Sequence, residues 1–169
     1  MKKILVTVMV MAMLLVGVQV GAEEYIEGNW MVRADEDPLT DEFKLILINA
    51  KDYSNGLGVR YQNGKLSIMI MTEYLGTDSD EYFSEVAYRF DKNEVVETLW
   101  STATSDEALF FEEDVHTEVE FIDRLMEHQE LAVGYYPYQS NRTTVVYDLT
   151  GFTAAITPYL DKIGLSELK

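Results

Sequence analysis

Asn63-Gly64 stands between two alternating runs, Leu57 to Tyr61 and Leu66 to Tyr74. Both central residues of a type I′ turn need positive φ, and Asn followed by Gly accepts it at least cost, so the two runs are expected to pair as a β-hairpin. The same pattern, a short apolar run closed by turn residues, recurs through the chain. Trp30 to Arg33 ends in the acidic stretch Asp35-Glu36-Asp37-Pro38, and Phe43 to Ile48 precedes the turn Ser54-Asn55-Gly56. Val86 to Phe90 and Val95 to Ser101 are joined by Asp91-Lys92-Asn93, and Ala108 to Phe111, Leu131 to Tyr136 and Thr143 to Asp148 follow. Within the second run, Lys44-Leu45-Ile46-Leu47-Ile48 is nearly all apolar, which is the composition of a strand covered on both faces. Glu23 to Gly28 is polar and reads as a short lead-in.

Two segments change period. Val119, Ile122 and Leu125, flanked by Phe121 and Met126, have helical spacing, and Thr117 with Glu120 three residues on fits a capping box, with Asp114 as a rival cap. Thr150 is positioned to cap a second helix from Phe152 to about Ile163, which Pro158 can kink or divide. The expected fold is therefore mainly β: an antiparallel β-sandwich of about eight or nine strands with two short helices, around 117–127 and 151–163. Strands do not alternate with helices, and the glycine fingerprints of nucleotide-binding βαβ folds are missing.

The first 22 residues have a different grammar. Lys2 and Lys3 precede an apolar stretch from Ile4 to about Val18, and Val20, Gly21 and Ala22 offer small residues ahead of two glutamates. That is the order of a cleaved signal peptide, with an uncleaved membrane anchor as the alternative. The apolar stretch is shorter than the ~20 residues that span a bilayer. No cysteine follows it, so lipid attachment there is excluded. Residues 23–169 then form a single exported domain, periplasmic or secreted, without stable membrane insertion after cleavage.

Composition narrows the partners. Loss of Lys2 and Lys3 leaves 11 Lys and Arg against 30 Asp and Glu, a formal charge of −19. Such a surface repels phosphate backbones and anionic lipid, which excludes nucleic acid as a natural partner. The hydrophobic fraction of 47% nonetheless sets the chain apart from disordered acidic chains and supplies a core. With no cysteine, that core has to hold without disulfides, and thiol chemistry is absent.

No constellation of catalytic residues stands out. His116 and His128 flank the first helix and would sit about 18 Å apart at its two ends, too far to share a zinc ion. His128 suits the helix dipole instead. The acidic clusters Asp35-Glu36-Asp37, Asp78-Ser79-Asp80-Glu81 and Glu112-Glu113-Asp114 have loop-type placement, and Asp78 and Asp80 alternate as calcium ligands do. They lack the central glycine and distal glutamate of an EF-hand, and in a chain so acidic such clusters arise by composition. No Gly-x-Ser-x-Gly elbow is present, and nothing singles out a carboxylate pair for glycoside hydrolysis. Tyr135-Tyr136-Pro137-Tyr138, with Tyr74 and Tyr82, either fills the core from alternate strand positions or offers stacking surface to a sugar or a protein. No catalytic, cofactor-binding or metal-binding residue is assigned, and no cofactor is expected.

Several segments taken in order carry a resemblance: Trp30, Glu73-Tyr74-Leu75-Gly76-Thr77-Asp78, Val86 to Asp91, Trp100-Ser101-Thr102, Ala108-Leu109-Phe110-Phe111, Phe121 to Leu125, and Tyr147 to Ile156. Together they resemble the type VI secretion-associated VasI family of small exported proteins, which has relatives outside secretion loci and in phage. The resemblance implies fold and export more than an activity, and it brings no catalytic residues. Family members usually carry a cysteine where Tyr61 stands and another around Lys162; this chain has neither, so packing has to serve there. The resulting expectation is a non-enzymatic interaction or accessory domain with protein partners in the cell envelope, in a type VI secretion assembly or another envelope complex. A carbohydrate- or calcium-dependent binding module is the alternative, and a small hydrolase is a third.

Overall fold

The computed structural model describes residues 22–76, 82–113 and 116–169. Residues 1–21 of the expected signal peptide, the whole cluster Asp78-Ser79-Asp80-Glu81 and Asp114 lie outside them. Ten strands occur among the described residues: β1 (Glu23–Glu27), β2 (Trp30–Glu36), β3 (Phe43–Ala50), β4 (Gly56–Gln62), β5 (Lys65–Met71), β6 (Phe83–Phe90), β7 (Val96–Thr102), β8 (Ala108–Phe110), β9 (Glu130–Tyr135) and β10 (Thr143–Asp148). Two short α-helices, α1 (Glu118–Glu127) and α2 (Phe152–Ile156), complete the mainly antiparallel β fold that the sequence predicts. The strands form one continuous antiparallel sheet in the order β1-β2-β3-β4-β5-β8-β7-β6-β9-β10. The two layers are thus halves of a single sheet folded over a shared core, with three-residue β8 linking them.

Alternation decides what enters that core. Trp30, Val32 and Ala34 of β2, Leu45 and Leu47 of β3, and Leu66, Ile68 and Ile70 of β5 point inward and are buried. From the other half come Val86, Tyr88 and Phe90 of β6 and Trp100 of β7. Helix α1 has the expected capping box at Thr117, and its Phe121 meets Tyr88, Phe90 and Phe111 at ring-centroid distances of 5.3, 5.2 and 4.8 Å.

The sheet is drawn together at one corner. Asn29 N donates to Thr150 O at 3.0 Å, and Asn49 Nδ2 donates to Asp148 O at 2.7 Å. Gly151, at φ 92°, makes this approach feasible, since a Cβ there would lie 2.5 Å from the Glu27 carbonyl oxygen.

Three expectations need correction. Glu23–Glu27 is an edge strand, not a lead-in, because an edge needs only one backbone neighbour and tolerates charged side chains. The second helix is short: Gly151, not Thr150, occupies its N-cap, and Pro158 divides 151–163 into α2 and a 3-10 turn at Thr157–Tyr159. Strand β3 is covered on one face only, with Leu45 and Leu47 buried but Ile46 and Ile48 half-buried on the outside.

The ring of Phe43 joins β4 to the C-terminal segment. Tyr61 lies 6.5 Å from Phe43 between centroids, and Lys162 Nζ sits 4.7 Å from the centre of the same ring.

Candidate functional site

The outer face of β1–β5 and β8 carries an apolar row that runs across the strands. Successive partners in register are Ile26, Met31, Ile48, Gly58, Met69 and Phe110, and the row continues through Ser101 to Phe83. Ile26, Met31 and Phe83 are 77%, 41% and 53% exposed. Met69 and Met71 lie over Gly58 and Gly56, so the absence of β-carbons on β4 lets the methionines flatten against the sheet. Six strands at about 4.8 Å spacing make the row from Ile26 to Phe110 about 24 Å long.

Basic residues occupy the next rows on this face. Arg33, Ile46, Arg60 and Ser67 stand in one register line, and Lys44, Gln62 and Lys65 in the next. Four of the 11 basic residues beyond position 22 therefore gather here. Glu24 opposite Arg33 and Asp35 opposite Lys44 are the carboxylates in the same lines. None of the four cations has a carboxylate within ion-pair distance among the described residues; Arg60 instead lies 5.8 Å from the centre of the Phe110 ring.

A cleft of about 560 Å³ opens beside Phe110, with Arg60 and Lys65 on one side and Glu112, Glu113 and Glu118 on the other. Burial, then the neighbouring Glu113 and Glu112, push the Glu118 carboxyl above its ordinary range, against the pull of Lys65. A second groove, of about 270 Å³, lies on the outside of β6 and β7, where Arg142 crosses Gly134 near Glu85, Glu97, Leu99 and Tyr136.

The residues singled out from sequence mostly have structural partners. His128 caps the C-terminus of α1, and its Nδ1 is 2.9 Å from Asp91 Oδ2. The other Asp91 oxygen accepts the backbone N–H groups of Gln129 and Glu130. These backbone bonds, with His128, hold the Asp91 carboxyl below its usual range. Asp37 accepts from the N–H groups of Leu39 and Thr40 and so closes a turn, and Glu113 accepts from Glu118 N. Among the described residues no three His, Asp or Glu converge on a metal position. The tyrosines divide: Tyr135 is fully buried, whereas Tyr136 and Tyr138 are 51% and 53% exposed, and Tyr138 meets Tyr74 edge-on at 5.9 Å. The apolar row escaped sequence reasoning because its members come from six strands; its one local signal is Ile48, with Ile46 beside it on the same face of β3.

No protein-family model matches the sequence, and no curated protein matches it significantly. The fold is shared with the invasion associated protein B of Bartonella henselae, with a TM-score of 0.55 and 12% sequence identity over 83% of this chain and 97% of that one.

Proposed function

We propose that the chain is an exported, non-enzymatic interaction domain. It loses its leader after Ala22, folds in the periplasm or outside the cell, and docks a protein of the cell envelope through the outer face of β1–β5 and β8. The observation that carries this reading is β3: its composition is that of a strand covered twice, yet Ile46 and Ile48 face outward among Met31, Met69 and Phe110. Covering the exposed remainder of such side chains yields on the order of 1 kcal/mol each. Unpaired cations beside them suit a protein partner, while the overall charge of −19 opposes a lipid surface.

Tyr61 and Lys162 both pack on Phe43, near where that family carries cysteines; the VasI resemblance itself rests on the sequence segments. An accessory role in an envelope or type VI secretion assembly follows from that likeness. Fractionation and N-terminal sequencing test the export, with Glu23 as the expected first residue. Chemical crosslinking in intact cells tests docking: the wild type and Val146→Glu, an exposed apolar position on β10 at the far edge of the sheet, should give the same adduct, and Met31→Glu should lose it. Retention in the cytosol, or an adduct unchanged by Met31→Glu, would refute the reading.

One observation favours a second reading, a carbohydrate-binding module. Tyr53 and Tyr74, both exposed, line a cleft of about 490 Å³ together with Glu73 and Glu107. Tyrosine faces beside carboxylates suit sugar stacking. Titration with cell-wall glycan fragments, read by tyrosine fluorescence, distinguishes it from the first.

A further inference from the structure

We infer that the partner docked on this face presents carboxylates alongside apolar side chains, an inference that rests on the docking role proposed above. The apolar and basic rows are in fixed relation, because both follow from strand register. Met31 and Arg33, and Met69 and Ser67, are two residues apart on one strand, so the Arg33–Arg60 line runs about 7 Å from the Met31–Met69 line, and the Lys44–Lys65 line about 7 Å further. With the Met71 line on the other side, the face measures about 24 by 20 Å, or about 500 Å², approaching the roughly 800 Å² that each partner contributes to a standard interface.

Charge selects the occupant. A second copy using the same face would bring the group Arg33, Lys44, Arg60 and Lys65 close to its own symmetry equivalent wherever the two-fold axis passes through that group, which disfavours a symmetric dimer centred there. A partner with acids displaced about 7 Å from its apolar ridge meets both lines at once. The chain's overall excess of acid then acts as a filter, since it disfavours carboxylate-bearing proteins in general while the four cations gathered here favour them.

The test uses purified residues 23–169, which contain every described strand and helix, and three fluorescent 16-residue peptides. The peptides share one amphipathic apolar pattern and carry Glu, Lys or Ser at all polar positions. A protein of charge −19 without a selective face binds the Lys peptide best. The inference predicts the opposite order at low salt, the Glu peptide binding about tenfold tighter than the Lys peptide and weakening as salt rises. Arg33→Glu with Arg60→Glu should invert the order, and Met31→Glu should abolish binding of the Glu peptide. If the Lys peptide wins and Met31→Glu abolishes its binding, the face docks proteins but the acidic partner is refuted. If no peptide binds, or Met31→Glu changes nothing, both readings fall. Sedimentation showing a dimer that Arg60→Glu dissolves, or flotation with phosphatidylglycerol vesicles, would overturn the inference in favour of a second copy or a lipid.

Discussion

Tyr135 and Tyr147 lie on adjacent strands and are both buried, at 0% and 1% exposure, yet their hydroxyl groups have opposite circumstances. Tyr135 Oη donates to Asn55 Oδ1 at 2.7 Å and accepts from Glu73 N at 3.1 Å, tying β9 to the β3–β4 loop and to the end of β5. Among the described residues, Tyr147 Oη has no hydrogen-bond partner. Tyr135→Phe breaks two bonds and leaves Asn55 Oδ1 buried without the donor it has now, so it should cost about 2 kcal/mol. Tyr147→Phe removes a desolvated, unpaired hydroxyl and should stabilise by about 1 kcal/mol. For a domain of this size the unfolding midpoints should move by about 7 °C down and about 3 °C up. Urea unfolding monitored by circular dichroism measures both. A double-mutant cycle of Tyr135→Phe with Asn55→Ala should return a coupling of about 1 to 2 kcal/mol. A Tyr147→Phe protein destabilised by more than about 0.5 kcal/mol, or a Tyr135→Phe protein destabilised by less, would refute the reasoning.

Gly151→Ala should cost more than about 2 kcal/mol, because the residue is at φ 92° and its new Cβ meets the Glu27 carbonyl; Gly64→Ala, at φ 71° in open space, should cost only about 1 kcal/mol in the same urea assay. Asp37, Asp52, Asp91, Glu120, Asp148 and Asp161 all titrate below their ordinary values in the folded chain. Their stabilising contribution is present above the unfolded carboxylate range near pH 4 and lost as pH falls through the folded values, so a pH series of melts should show a steep fall below about pH 4. Glu118 has the reverse sign: raised in the fold, its contribution is full below the unfolded range and lost as pH rises through the folded value. Glu118→Gln should therefore raise the melting midpoint at pH 7 and leave it nearly unchanged at pH 3.

Local signals in this sequence were readable where they were chemically self-sufficient. Asn63 and Gly64 have the positive φ values, 54° and 71°, that a type I′ turn demands, and Thr117 with Glu120 closes its capping box without outside help. Trp30 and Trp100 are fully buried, as their size suggests. What escaped reading depends on distant partners. β1 is polar because it is an edge, so composition conceals it. Only the approach of Glu27 to Gly151 reveals why a glycine, not Thr150, opens α2. Tyr136 and Tyr138 face outward because Leu131, Val133 and Tyr135 take the inward positions of the alternation. The candidate site was the least legible element of all, since pairing of Met69 with Phe110 joins residues some forty positions apart, and only such register turns scattered apolar residues into a row.

Methionine oxidation tests the covered face most directly. Of the four methionines beyond position 22, Met31, Met69 and Met71 stand on the outer face, whereas Met126 of α1 packs against the core. Brief peroxide treatment followed by mass spectrometry gives each sulfoxide yield, in the purified protein and in intact cells. With a partner seated there, Met31, Met69 and Met71 should be protected in cells about tenfold relative to the purified protein, normalised to Met126. Equal yields in the two settings would mean that this face stays bare in the cell, which contradicts the account.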